Sequence, residues 1–320
     1  FLFLFYSCDS NNYLEIDGYT MGTTYSIKIL ASSIDENKIK NDVEAILNSI
    51  NMDMSTYIDS SSISKFNNFP LGIKYPLSND FYKVINFSKH FYDMTDGKFD
   101  ITINPLVQLW GFSKNTHLEK LPSKNQIDST LQYIGMGNLI IQTDKTLTKK
   151  RELTIDLSAI AKGYAVDELS EYLNKINLKN HMVEIGGEVR ASGKGKEKKN
   201  WIIGLQNPGS INFDLFLKVP LLNKSLATSG NYRNYYDING KRYSHIISPK
   251  TGYPIDNNIL SVSIIARECM YADALATALM MFNIDDGMKL VESLDDVEVL
   301  YILDDHTISY SGGFTFTHVK

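Results

Sequence analysis

The chain has 320 residues, 43% hydrophobic and 22% charged, with a formal net charge of -5. This is ordinary globular composition, long enough to bury a sizeable core without staples, and length alone permits one large domain or two smaller ones. The charge balance gives no electrostatic footprint for nucleic acid, where a basic face would be expected. With only two cysteines, Cys8 and Cys269, a disulfide framework and a Cys/His zinc site are also excluded.

The opening "FLFLFYSCDS" is an apolar run that stops at a cysteine and turns polar. It is too short to span a bilayer and suits the end of a secretory h-region within a longer precursor. It resembles a bacterial lipobox, with Phe5 and the bulky Tyr6 departing from that pattern. Residues 1–12 are therefore expected to be the end of a signal and lipid-anchor segment, with lipid on Cys8. Residues 13–320 are expected to form one domain, since no Pro-rich or Gly/Ser-rich linker and no internal repeat divides them.

"GTTYSIKIL" alternates and is β-branched, which predicts a strand. "DENKIKNDVEAILNSINMDM" places Ile39, Val43, Ile46, Leu47 and Ile50 on one helical side. "SNDFYKVINFSKHFYDMTDG" predicts a second helix, starting at Ser78 or Asn79 and stopping near Gly97. "LTIDL" reads as a short strand leading into the helical "SAIAKGYAVDELSEYL". Next, "MVEIGGEVRASG" and "NWIIGLQNP" flank the charged run "KGKEKK" and read as a hairpin with a wet loop. Strands follow at "DLFLKVPLLN", "SLATSG", "NYYDING", "KRYSHIIS" and "ILSVSIIA", then a helix at "YADALATALMMF", then strands at "VEVLYILDD" and "TISYSGG". Long helices early and many short strands late predict an α+β fold with mixed, largely antiparallel sheets, not a doubly wound one.

Three stretches could carry chemistry. In "IDLSAIAKGYAVD", Asp156 stands where a helix N-cap would be, and the same helix N-terminus could instead receive an anion beside Lys162. Gly163 costs about 1 kcal/mol relative to Ala inside a helix, so something is expected to pack closely there; Asp167 reads as a helix-surface or capping residue. In "YADALATALMMF", Asp273 and Thr277 are four apart and share a helix face. They could offer two oxygens to a hard cation such as Mg²⁺; equally, Asp273 could cap the helix while Thr277 bonds back to the preceding turn. In "YSHIISPKTGYP", His245 could be a general base or a ligand gate, though a lone histidine is more often a satisfied structural one. Gly186 and Gly187 in "EIGGEVRASG" permit close backbone approach or a bulge. Cys269 reads as a small buried residue.

Taken in order, "GYTMGTTYSIKI", "MSTYIDSSSISKFN", "GKFDITINPLVQLWGF", "IDLSAIAKGYAVD", "EIGGEVRASG", "ATSGNY", "HIISPKTGYP" and "ADALATALMMF" resemble the successive signatures of the ApbE family, from about Tyr19 to about Phe282. The resemblance implies a Mg²⁺-dependent FAD:protein FMN transferase, often a periplasmic lipoprotein. FAD is split at its pyrophosphate, AMP leaves, and FMN is joined by a phosphoester to a threonine of an acceptor flavoprotein. It implies acceptors such as electron-transfer subunits of the Nqr and Rnf type, and a lipid-anchored location on the periplasmic or extracytoplasmic face of a bacterial envelope. By motif, it implies Mg²⁺ ligands at Asp273, Thr277 and the carbonyl of Ala159. It implies FAD contacts at Met21, Tyr57, Asp100, Ile101, Thr102, Asp156, Lys162, His245 and Ile247, with His245 a candidate base and Asp273 catalytic through the metal. Glu188 stands where an aspartate usually follows the glycine pair, and Ser244 where a second histidine is common. Two other readings share these residues: a Mg²⁺-dependent FAD pyrophosphatase with water as acceptor, and a lipoprotein that only binds flavin.

Overall fold

The computed structural model describes residues 12–31, 34–113, 118, 120–208, 214–232 and 234–319. Cys8 and the expected anchor segment lie outside the described residues, save Asn12. No helix among the described residues is long and apolar enough to cross a membrane.

The α+β class expected from the sequence is what the chain adopts. An eight-stranded sheet runs in chain order through Asn12–Thr20, Thr23–Ala31, His181–Ile185, Glu188–Ser192, Lys224–Gly230, Ile259–Ala266, Glu298–Leu303 and Ile308–Tyr310. Every neighbouring pair is antiparallel. Its central strands are buried on both faces, which explains apolar runs such as "ILSVSIIA" where a half-exposed strand would alternate. Alternate residues serve two cores: Ala227, Ile264 and Tyr301 join the helices, while Leu226, Ile265 and Leu300 join a cluster with Trp201, Leu217 and Val219.

The helical layer comprises Glu36–Met54, Asn79–Met94, Ala161–Lys175, Cys269–Leu279 and Ile284–Glu292, together with shorter turns. The first two start as the sequence implies: Asp35 accepts from Lys38 N–H at 3.0 Å, and Ser78 from Phe81 N–H at 3.0 Å. Ile39, Val43, Leu47 and Ile50 are buried on the predicted face.

Two local expectations fail. "LTIDL" makes no ladder; residues 153–157 run as irregular chain into a turn, because Asn67 takes both backbone groups of Ile155, at 2.8 and 2.9 Å. The hairpin does not close around "KGKEKK" either. Strand His181–Ile185 turns back at once through Gly186 (φ +60) and Gly187 (φ +103) to pair with Glu188–Ser192. Trp201–Gln206 joins Leu215–Leu221 in a separate three-stranded sheet. The glycine pair, in left-handed conformation, makes the hairpin turn that was expected as a solvated loop at the charged run.

Candidate active site at a helix crossing

A cavity of about 770 Å³ opens where helices Ala161–Lys175 and Cys269–Leu279 meet the sheet. It gathers Tyr57, Asp100, Ile101, Asp156, Ala159, Lys162, His245, Ile247, Asp273 and Thr277 from five stretches of chain. Met21 and Thr102 do not line it. Met21 sits in the turn between the first two strands with φ +50 and packs against the main core. Thr102 is buried and acts through Asp100, whose Oδ1 accepts its N–H at 2.8 Å and its hydroxyl at 2.6 Å. Burial nonetheless raises the Asp100 carboxyl to about 6.

Asp156 does not cap the helix. The helix begins at Ala161 with Ile160 at the cap position, and Asp156 instead holds the preceding turn through Ser158 N–H at 2.7 Å. Its own N–H donates to the Ile101 carbonyl at 2.8 Å, tying the "DIT" segment to this turn. Thr56 hydroxyl reaches its other oxygen at 3.3 Å.

The helix N-terminus is capped from afar. Gly163 N–H donates to Asp273 Oδ2 at 3.0 Å, and a Cβ at Gly163 would stand 2.5 Å from the Cys269 carbonyl oxygen. The close packing expected at this glycine is therefore real, and the partner is the second helix. Because the amide of Gly163 goes to Asp273, the Ala159 carbonyl four residues back accepts no hydrogen bond from the described residues. Asp273 Oδ1 likewise accepts none. Thr277 Oγ1 lies 2.9 Å from Ser229 Oγ.

Carboxylate, hydroxyl and uncommitted carbonyl thus face one cavity. Among the described residues no three His, Cys, Asp or Glu side chains cluster as a metal site. A mixed oxygen set of this kind fits a hard cation that completes its shell with water or phosphate.

Lys162 makes an ion pair with Glu188, which is 3% exposed and whose second oxygen is buried without a partner. Burial opposes the Lys162 charge, yet Glu188 and Asp273 outweigh it and hold the ammonium above its usual range. Burial raises both carboxyls, Glu188 and Asp273, against the pull of Lys162.

His245 is half-buried on a segment fixed by a small third core, where Ile247 packs with Trp110 and the Trp110 indole donates to the Gly252 carbonyl at 2.8 Å. Its Nδ1 donates to the Asn234 carbonyl at 3.0 Å, since a carbonyl can only accept, and Nε2 is left as the acceptor. Burial lowers its pKa, and Lys162 adds to that. Tyr57 stands 59% exposed at the cavity lining, available to cover a flat ring.

Glu188 and Asp167 escaped the reading by residue type. Glu188 is visible only as a departure from the motif. Asp167 is buried and bonds the second helix; its position four residues after the tightly packed Gly163 put it on the same face, which was the available signal.

A model of the ApbE family matches residues 21–301. The chain is 38% identical over 288 residues to the FAD:protein FMN transferase of Haemophilus influenzae, covering 87% of this chain and 83% of that protein. It is 35% identical over 292 residues to that of Vibrio cholerae, covering 91% and 87%. Among solved structures, the flavin transferase ApbE from Vibrio cholerae matches with a TM-score of 0.85 and 34% identity over 94% of this chain and 96% of that one. The ApbE protein from Thermotoga maritima matches at 0.86, with 31% identity over 94% and 97%.

Proposed function

The chain belongs to the ApbE family, and from that premise we infer that it is an FAD:protein FMN transferase acting on a threonine of its acceptor. The observation that carries the reading is the helix crossing, which brings Asp273, Thr277, the uncommitted Ala159 carbonyl and the cation Lys162 to one cavity.

In this reading Ala159, Asp273 and Thr277 hold Mg²⁺, which when bound neutralises charge on the pyrophosphate and on the departing AMP. Lys162, kept charged by Glu188, sets a fixed positive charge beside the same phosphates. Tyr57 and Ile247 cover the flavin. Asp100 and Asp156 order the loop and turn that frame it. The acceptor threonine Oγ bonds to the FMN phosphorus, the phosphorus–oxygen bond to AMP breaks, and the hydroxyl proton passes to Nε2 of His245. Such a transfer rests mainly on positioning and charge, which is what this constellation supplies.

Residues 13–320 act as one transferase domain. The apolar run ending at Cys8 supports a lipid anchor there, on the extracytoplasmic face of a bacterial envelope. That location fits a membrane-bound electron-transfer subunit of the Nqr or Rnf type as the acceptor.

The test is AMP release from FAD by the wild type and by Asp273→Ala, with and without Mg²⁺. Release only in the wild type and only with the cation supports the reading. Full activity in Asp273→Ala contradicts the metal assignment.

A further inference from the structure

Asp167 lies on helix Ala161–Lys175, yet its carboxylate serves the other helix. Oδ1 accepts the backbone N–H of Cys269 at 2.9 Å, and Oδ2 that of Met270 at 2.8 Å. These are the first amides of helix Cys269–Leu279, whose own cap residue, Glu268, makes no side-chain bond. Arg190 donates to Asp167 Oδ1 at 2.8 Å and to Glu171 at 2.8 Å, which offsets the buried charge.

In return, Asp273 of the second helix takes the Gly163 amide of the first, at 3.0 Å. Each helix therefore carries a carboxylate that caps the other. With Gly163 allowing near contact between the backbones, the two sets of bonds fix both the slide and the rotation of one helix against the other. That one relationship also determines where Asp273 and Thr277 stand relative to Ala159 and Lys162.

We propose that Asp167 is a positioning residue for the divalent cation: it touches neither cation nor FAD but holds in register the two helices that carry the ligands. The inference rests on the metal reading above. Ligand oxygens must be held within about 0.5 Å to bind well, and loss of an outer support typically weakens metal binding by about 10- to 100-fold. An asparagine at this position can accept one amide but must turn its own N–H groups toward the other amide or Arg190. A cap with a purely structural role would cost stability without changing the affinity of the molecules that remain folded.

The test is Mn²⁺ binding to the full chain, followed by the EPR signal of free Mn²⁺, at a temperature where melting curves show each variant folded. Asp167→Asn is expected to bind about tenfold or more weakly than the wild type. His181→Gln, which loosens the same helix by removing the Ser170–His181 bond of 2.8 Å, is expected to stay within about threefold. Equal affinity in Asp167→Asn and the wild type overturns the inference, as does an equal loss in His181→Gln. A wild type that binds no Mn²⁺ overturns the metal reading and this inference together. Should Asp167→Asn not fold, hydrogen exchange on the wild type decides: Mn²⁺ must slow exchange at the Cys269 and Met270 amides, and unchanged rates overturn the proposal.

Discussion

Asp273 Oδ2 accepts the backbone N–H of Gly163 at 3.0 Å, across 110 residues of sequence. The bond caps one helix with a residue from the middle of another, and by taking that amide it leaves the Ala159 carbonyl uncommitted. A helix terminus ordinarily satisfies its amides from within a few residues. Here the satisfaction is tertiary, so the contact that caps the helix also sets where Asp273 stands in the cavity.

Gly163→Ala tests the tightness of that crossing. The added Cβ would lie 2.5 Å from the Cys269 carbonyl oxygen and 2.8 Å from Asp273 Cβ, both on the partner helix. Helix propensity alone would favour alanine by about 1 kcal/mol, but overpacking costs about 1–3 kcal/mol. Urea unfolding should show net destabilisation together with loss of AMP release; a more stable and fully active variant would refute the account of this glycine.

Lys162 and Glu188 separate structural from catalytic need. Lys162→Met leaves the Glu188 carboxyl buried without its partner and should cost about 3–5 kcal/mol. Replacing both, as Lys162→Met with Glu188→Leu, should restore most of that stability while turnover of FAD stays lost. Recovery of activity in the double variant would remove Lys162 from the phosphate site.

With His245 as the proposed base, the form that can take a proton is the neutral imidazole, with Nδ1–H on the Asn234 carbonyl. Burial lowers its pKa, so the transfer rate at saturating FAD should fall on acidification through a midpoint below the ordinary value of about 6.5. His245→Asn should lower that rate by about a hundredfold or more and remove its fall on acidification. An unchanged pH profile in the variant would assign the base elsewhere.

His181 predicts a different pH effect, on stability. It is fully buried; Nδ1 donates to the Leu178 carbonyl at 2.6 Å, and Ser170 hydroxyl lies 2.8 Å from Nε2. Burial pushes its pKa down to about 4. The unfolded chain then binds the proton first, so this contribution is complete above about pH 6.5 and is lost as pH falls toward 4. Relative to His181→Gln, the wild type should lose on the order of 3 kcal/mol between about pH 7 and about pH 4. Parallel stability curves for the two proteins would contradict this.

Much of the site was legible because it is written in spacing. Asp273 and Thr277 share a face in any helix, and they line the cavity together. The α+β class followed from strands too short and too frequent for crossover helices. What could not be read depended on contacts between distant segments. Asp156 looks like a cap until Asp273 is known to supply one. Asp167 looks like a surface residue until Cys269 and Met270 reach it. "LTIDL" has strand composition, but Asn67 takes the Ile155 backbone groups that a ladder would need. Met21 and Thr102, drawn from motif, fall one step outside the cavity, packing the core and holding Asp100 in turn.

The most direct measurement is the flavin content of an acceptor domain carrying the target threonine, after incubation with this protein, FAD and Mg²⁺. Flavin should be found covalently on the threonine, with one AMP released for each acceptor labelled, and none on a Thr→Val acceptor. AMP and free FMN with an unlabelled acceptor would show hydrolysis in place of transfer, and unchanged FAD would show neither.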